Sequence, residues 1–106
     1  TALTVRQALR LATTGGARVL GREDEIGTVE VGKLADLALW RVDGPEHSSI
    51  ADPVAALVLG APPPLTLLLV DGRVVVEDGQ PTTVDPVDVA RGAREQSRRL
   101  AALAGR

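Results

Sequence analysis

Residues 8–40, ALRLATTGGARVLGREDEIGTVEVGKLADLALW, decide how this chain reads. Val5, Ala8, Leu9 and Ala12 recur at helical spacing while Arg6, Gln7 and Arg10 face elsewhere, so a helix with one narrow apolar stripe leads into the stretch. Thr4 and Gln7 have the spacing of a capping box and should start that helix. Thr13-Thr14-Gly15-Gly16 is expected to interrupt it, because a glycine costs about 1 kcal/mol relative to alanine inside a helix. A second short helix, Ala17 to Leu20, then stops at Gly21. Arg22-Glu23-Asp24-Glu25 reads as a solvated loop, Thr28 to Val31 as a short extended piece and Gly32-Lys33 as a turn. Ala35 to Val42 is a strand whose nearly unbroken apolar character predicts burial on both faces. Asp36 interrupts that run. A buried carboxylate there needs backbone donors or a cation, with Lys33 the nearest candidate, and its expected role is structural.

Further along, Arg41 to Asp52 is polar, contains Gly44-Pro45, His47, Ser48 and Ser49, and is expected to be an exposed loop with His47 at the surface. Pro53 to Gly60 reads either as a helical turn followed by a strand or as a strand alone. Ala61-Pro62-Pro63-Pro64 is a stiff connector, since three successive residues have no N–H to donate. Leu65 to Val70 and Val74 to Glu77 flank Asp71-Gly72, a dipeptide suited to a two-residue hairpin turn. Asp78-Gly79 supplies another turn and Gln80 to Val84 a short extended edge. Asp85 as cap and Pro86 at the first helical position open a last helix, with Val89, Ala93, Leu100 and Leu103 along one side. The fold class is therefore α+β: a small, mostly antiparallel β-sheet flanked by an N-terminal helix pair and a C-terminal helix.

Composition narrows the function classes. The chain has 106 residues, enough for one small core built almost wholly from Ala, Val and Leu, with Trp40 as its single aromatic, so stability should be modest. The balance of 12 basic against 14 acidic residues gives nucleic-acid binding no support. The arginines of the last helix share it with Asp88 and Glu95 and lack aromatic interleaving, so they read as a solvated face. No apolar run reaches the length of a membrane span and no signal-peptide pattern appears; with no cysteine, the expected compartment is the cytoplasm. The chain opens Thr1-Ala2-Leu3 and holds no methionine, which leads us to expect a segment of a longer polypeptide.

The residues that carry chemistry are sparse. A hydrolytic zinc centre needs about three ligands from His, Cys, Asp or Glu plus an open position for water. One histidine and no cysteine are present, and there is no HxH, HExxH or CxxC spacing. Ser48, Ser49 and Ser97 have no nucleophile-elbow context and share only His47 as a candidate base, so adjacency of His47 and Ser48 is not a triad. Thr14-Gly15-Gly16-Ala17 lacks both a GxGxxG pattern and a phosphate-loop lysine, and is expected to break a helix rather than hold an anion. No catalytic, cofactor-binding or metal-ligating residue is expected within the chain.

The order of motifs nevertheless resembles the metal-dependent amidohydrolases, in the branch of 8-oxoguanine, guanine and cytosine deaminases and triazine chlorohydrolases. There an ALxxAT element precedes GGAxxLG and then IGxxxxGKxADLxLW. Here these letters are Ala8-Leu9, Ala12-Thr13, Gly15-Gly16-Ala17, Leu20-Gly21, Ile26-Gly27, Gly32-Lys33, Ala35-Asp36-Leu37 and Leu39-Trp40. Asp52-Pro53, the apolar run to Gly60, and Leu69 to Val75 resemble the family's VxxVxVxGxxV ending, so about three-quarters of the chain is covered. The resemblance implies a (β/α)₈ barrel that carries zinc or iron, a composite β-sandwich, and hydrolytic deamination of a purine, pyrimidine or triazine ring. It places residues 1–22 as terminal barrel helices, 23–84 as C-terminal sandwich strands and 85–106 as a trailing helix. The family's metal ligands precede this region, so none transfers, and Asp36 and His47 match structural or variable positions.

Two functional expectations follow. The first is a non-catalytic C-terminal portion of such a hydrolase, inactive alone, whose partners are the barrel and N-terminal sandwich strands. The second is an autonomous binding or interaction module. Apolar faces and strand edges shaped for absent partners predict self-association of the isolated chain into a homo-oligomer.

Overall fold

A computed structural model of the protein describes residues 2–105. Helix α1, Val5–Arg10, begins at the expected capping box: Thr4 accepts from the Gln7 N–H at 3.1 Å, and the Gln7 side chain accepts from the Thr4 N–H at 2.9 Å. The expected second helix is present as α2, Gly16–Val19, but the joint between the two is a π-helical turn, Leu11–Gly15, rather than a break. Gly15 and Gly16 keep right-handed helical angles. The Thr13 and Thr14 hydroxyls donate to the Leu9 and Arg10 carbonyls at 2.8 and 3.1 Å, adding donors for these carbonyls where the helical register changes. The run ends at Gly21, whose N–H donates to Arg18 O while Arg22 N–H reaches back to Ala17 O at 2.9 Å, closing a Schellman motif.

Gly27 then crosses directly over α2. A Cβ built on it would stand 2.8 Å from Ala17 Cβ, and its φ is +99°, so both the close approach and the backbone demand glycine. Ala17 beneath it is one of only two buried apolar residues among those described, the other being Ala56. The extended piece expected at Thr28 to Val31 does not form; these residues make bends and a turn, with Val29 and Val31 exposed, because no neighbouring strand pairs with them.

The sheet is an antiparallel meander in the order β1-β2-β3-β4, made of Leu37–Trp40, Leu65–Val70, Arg73–Glu77 and Gln80–Pro81. Leu37 faces Leu69 and Leu39 faces Leu67 across β1 and β2, and Leu68 faces Val76 across β2 and β3. The Asp71-Gly72 turn joins β2 to β3 as expected, with φ of 50° and 75° at its two residues, the left-handed pair that matches strand twist. Three strand expectations change. The β1 strand is shorter than Ala35 to Val42 and is not buried on both faces: Leu39 and Trp40 are exposed, Trp40 because the helices beside it leave an open groove instead of closing over the strand. Gln80 to Val84 pairs only over Gln80–Pro81. Pro53–Leu59 is a continuous helix, α3, with no strand in it; Asp52 caps it by accepting from Val54 N–H at 3.0 Å, and Pro53 occupies its first turn.

Helix α4, Pro86–Leu103, is opened by Asp85 and Pro86 as the sequence predicts, Asp85 accepting from Val87 N–H at 2.9 Å. Every residue of α4 is exposed, including Val89, Leu100 and Leu103 on its apolar side. The radius of gyration, 18.1 Å, exceeds the roughly 13 Å of a compact chain of this length, in keeping with a last helix that has no buried residue. The architecture is α+β: an antiparallel sheet, a helical layer in which α3, inserted between β1 and β2, packs on α1, and an exposed last helix.

Candidate functional site

Helices α1 and α3 pack together and are tied at their polar edge by Arg6, whose guanidinium reaches both Asp52 carboxylate oxygens at 2.7 and 3.2 Å. That contact, and then the Val54 N–H, holds the Asp52 carboxyl below its usual range, while the same pair raises Arg6. Elsewhere, Arg41 lowers Asp43 across a 2.8 Å contact, and the Thr28 hydroxyl, followed by Lys33, lowers Glu30. All these groups are solvent-facing pairs of a surface, and none is a carboxyl or amine raised or lowered toward neutrality as an acid–base catalyst requires.

Between the α1–α2 run and β1 lies an open groove of about 460 Å³, lined by Leu9, Ala12, Leu20, Ile26, Trp40 and Leu57 among others. Its one ionisable lining residue is Asp36. Asp36 is exposed, not buried, and Lys33 does not serve it: Lys33 pairs instead with Glu30 at 3.2 Å and donates to Glu23 O at 2.8 Å. Asp36 Oδ1 accepts from Asp71 N–H at 2.7 Å, pinning the start of β1 to the hairpin turn, so the structural role holds with a different donor. An apolar groove with one committed carboxylate has the chemistry of a packing surface.

His47 departs furthest from expectation. It is 2% exposed, not a surface residue, and sits in a 3₁₀ turn, Pro45–His47, with Nε2 2.7 Å from Ala61 O. The Ser48 hydroxyl donates to Pro45 O at 2.8 Å, so neither member of the adjacent pair is poised toward the other, and Ser97 lies exposed on α4. Gly16 N–H is used inside the helix, which leaves no amide cradle at Gly15-Gly16. Among the described residues, no three His, Cys, Asp or Glu side chains gather as a metal site would require. No described helix is long and apolar enough to cross a membrane. No signal in the sequence marked His47 as buried, because its partner lies 14 residues away.

Comparison with known proteins places the chain in a family. Residues 1–75 match the Amidohydrolase family, and the chain belongs to that family. It is 46% identical over 101 residues to a 5-methylthioadenosine/S-adenosylhomocysteine deaminase of Desulforudis audaxviator, covering 94% of this chain and 24% of that protein. Among solved structures it superposes on an adenosine deaminase from Xanthomonas campestris with bound zinc, at a TM-score of 0.88 and 30% identity, over 95% of this chain and 23% of the other. It also matches the zinc-complexed atrazine chlorohydrolase TrzN of Arthrobacter aurescens TC1, at a TM-score of 0.81 and 35% identity, over 88% and 20%. The chain thus spans between a fifth and a quarter of the length of the curated relatives it matches, 24% of the Desulforudis audaxviator protein and 20% of an isoxanthopterin deaminase. The deaminase and triazine-hydrolase kinship read from the motif order holds. The zinc of those structures does not fit the residues described here: the single imidazole is sealed in by its bond to Ala61 O, and no ligand cluster stands beside it.

Proposed function

We propose that this chain is the non-catalytic C-terminal portion of an amidohydrolase that removes an amino group from a purine-like ring by hydrolysis, with water entering at the ring carbon and ammonia leaving. The observation that carries the reading is the match to deaminases over nearly the whole chain but only about a quarter of theirs, in a segment with no ligand cluster and no poised acid or base among its described residues. The relatives' names favour aminopurine nucleosides over triazines, since the curated relative 46% identical to this chain is a 5-methylthioadenosine/S-adenosylhomocysteine deaminase and the structure superposing at a TM-score of 0.88 is an adenosine deaminase. The motif order, which ends in the hairpin around Asp71-Gly72, supports the C-terminal placement.

In this reading residues 1–22 close a barrel, 23–84 belong to a composite sheet layer and 85–106 trail from it. The catalytic metal, zinc or iron, is held by residues that precede this segment. What this chain supplies is a surface: the groove under Leu9, Ile26 and Trp40, and the free edge of β1, are the faces that the rest of the polypeptide covers. The test is ammonia release from adenosine and 5-methylthioadenosine by the longer polypeptide, with and without residues 8–77. Activity that needs the segment supports the proposal; full activity after its removal, or a longer polypeptide with no deaminase activity on any aminated ring, overturns it.

A further inference from the structure

His47 unites complete burial with an unused function. Its side chain has 0% exposure, and Nδ1 has no hydrogen-bond partner; the nearest carboxylate oxygen, Glu46 Oε1, is 3.5 Å away. Nε2 lies 2.7 Å from Ala61 O, and because a carbonyl oxygen only accepts, the proton of that bond is on Nε2. The ring also fills the space beside Gly60, where a Cβ would stand 2.9 Å from His47 Cδ2 and 2.5 Å from Ala56 O. Three pieces of chain therefore meet at one imidazole: the 3₁₀ turn, the end of α3 and the first residue of the proline connector.

The connector explains why a side-chain donor is needed there. Pro62, Pro63 and Pro64 bring no N–H of their own, and the carbonyls at the two ends of the connector are bound from outside it. At its far end Pro64 O accepts from Arg41 N–H at 2.9 Å, just beyond β1; at its near end Ala61 O accepts from His47 Nε2–H. Between them these two bonds fix where α3 hands the chain to β2.

We propose that His47 is a positioning residue that latches the α3-to-β2 connector, so that the helical layer and the sheet keep one mutual arrangement. It touches no substrate in this role, and the proposal stands whichever ring the parent enzyme acts on. Gln in its place keeps an amide nitrogen near the Nε2 position, whereas Asn is too short to reach Ala61 O.

The experiment is residue-resolved amide exchange on the 106-residue chain and its His47→Gln, His47→Asn and His47→Ala variants, with a long-range 1H–15N spectrum of the imidazole. We expect a fixed ring with the proton on Nε2. In His47→Ala and His47→Asn, exchange should quicken about tenfold at Arg41 and Gly60, while the capping-box amide of Gln7 is unchanged and His47→Gln stays close to the native rates. Ring nitrogens that average as in free imidazole, acceleration spread evenly to Gln7, no acceleration at all, or a Gln variant as fast as Ala would each overturn the latch.

Discussion

The Arg6 guanidinium grips both oxygens of the Asp52 carboxylate while the same carboxylate caps α3 through Val54 N–H, so one acid joins two helices and starts one of them. The two duties separate by mutation. Asp52→Ala removes both and should lower the thermal unfolding midpoint several degrees further than Arg6→Ala, which leaves the cap in place. Asp52→Ser, which keeps a capping oxygen, should fall between them. Circular dichroism melts of the three variants check the order.

Acid should loosen the same joint. Asp52, Asp43 and Glu30 all titrate below their ordinary values in the folded chain, held there first by Arg6, by Arg41 and by the Thr28 hydroxyl respectively. A folded value below the unfolded one means the unfolded chain binds protons first on acidification. The stabilisation is then complete above the unfolded carboxylate range, roughly pH 4, and disappears as the pH falls through the folded values. Melting midpoints measured from pH 7 down to pH 2 should hold and then drop below about pH 4, and the drop should be shallower in Asp52→Asn.

Asp36 holds β1 to the hairpin turn through Asp71 N–H, beside a second bond from Gly72 N–H to Ala35 O at 3.0 Å. Asp36→Ala should cost about 1 kcal/mol and Asp36→Asn, which keeps an acceptor, less than half of that. Urea unfolding of the two variants measures the difference.

Gly27 has no room for a side chain over Ala17 and a backbone that L-residues avoid. Gly27→Ala should therefore destabilise by about 2 kcal/mol or more, through steric overlap and positive φ together. Ala17→Gly in the same chain should relieve the overlap but not the backbone strain, so a double-mutant cycle should show partial coupling.

The parts legible in the sequence are those set by neighbours no more than about four residues away. Thr4 with Gln7, Asp85 with Pro86 and the Asp71-Gly72 turn each carry their own local chemistry, and each forms as read. Distant partners decided the rest. Val54 to Leu59 is apolar enough for a strand, yet packing on α1, more than 40 residues earlier, goes with a helix there. His47 looked solvent-facing in its polar loop, and only the Ala61 carbonyl and the gap beside Gly60 bury it. The apolar run at β1 pointed to cover on both faces, whereas Leu39 and Trp40 stand exposed in this chain.

Exposed Leu39, Leu59, Val89, Leu100 and Leu103 should draw isolated copies together. Light scattering from micromolar to millimolar concentration should show a mass that rises above 11.0 kDa, and Leu100→Glu with Leu103→Glu should move that rise to higher concentration. A constant monomer mass across the range would count against self-association.

The central claim is that this segment shapes an amidohydrolase without performing its chemistry. Its most direct test is ammonia release from adenosine and 5-methylthioadenosine by the purified 106-residue chain supplied with zinc or iron, beside the longer polypeptide under the same conditions. We predict turnover by the longer polypeptide and none above the buffer rate by the chain alone; steady deamination by the 106 residues themselves would contradict the account.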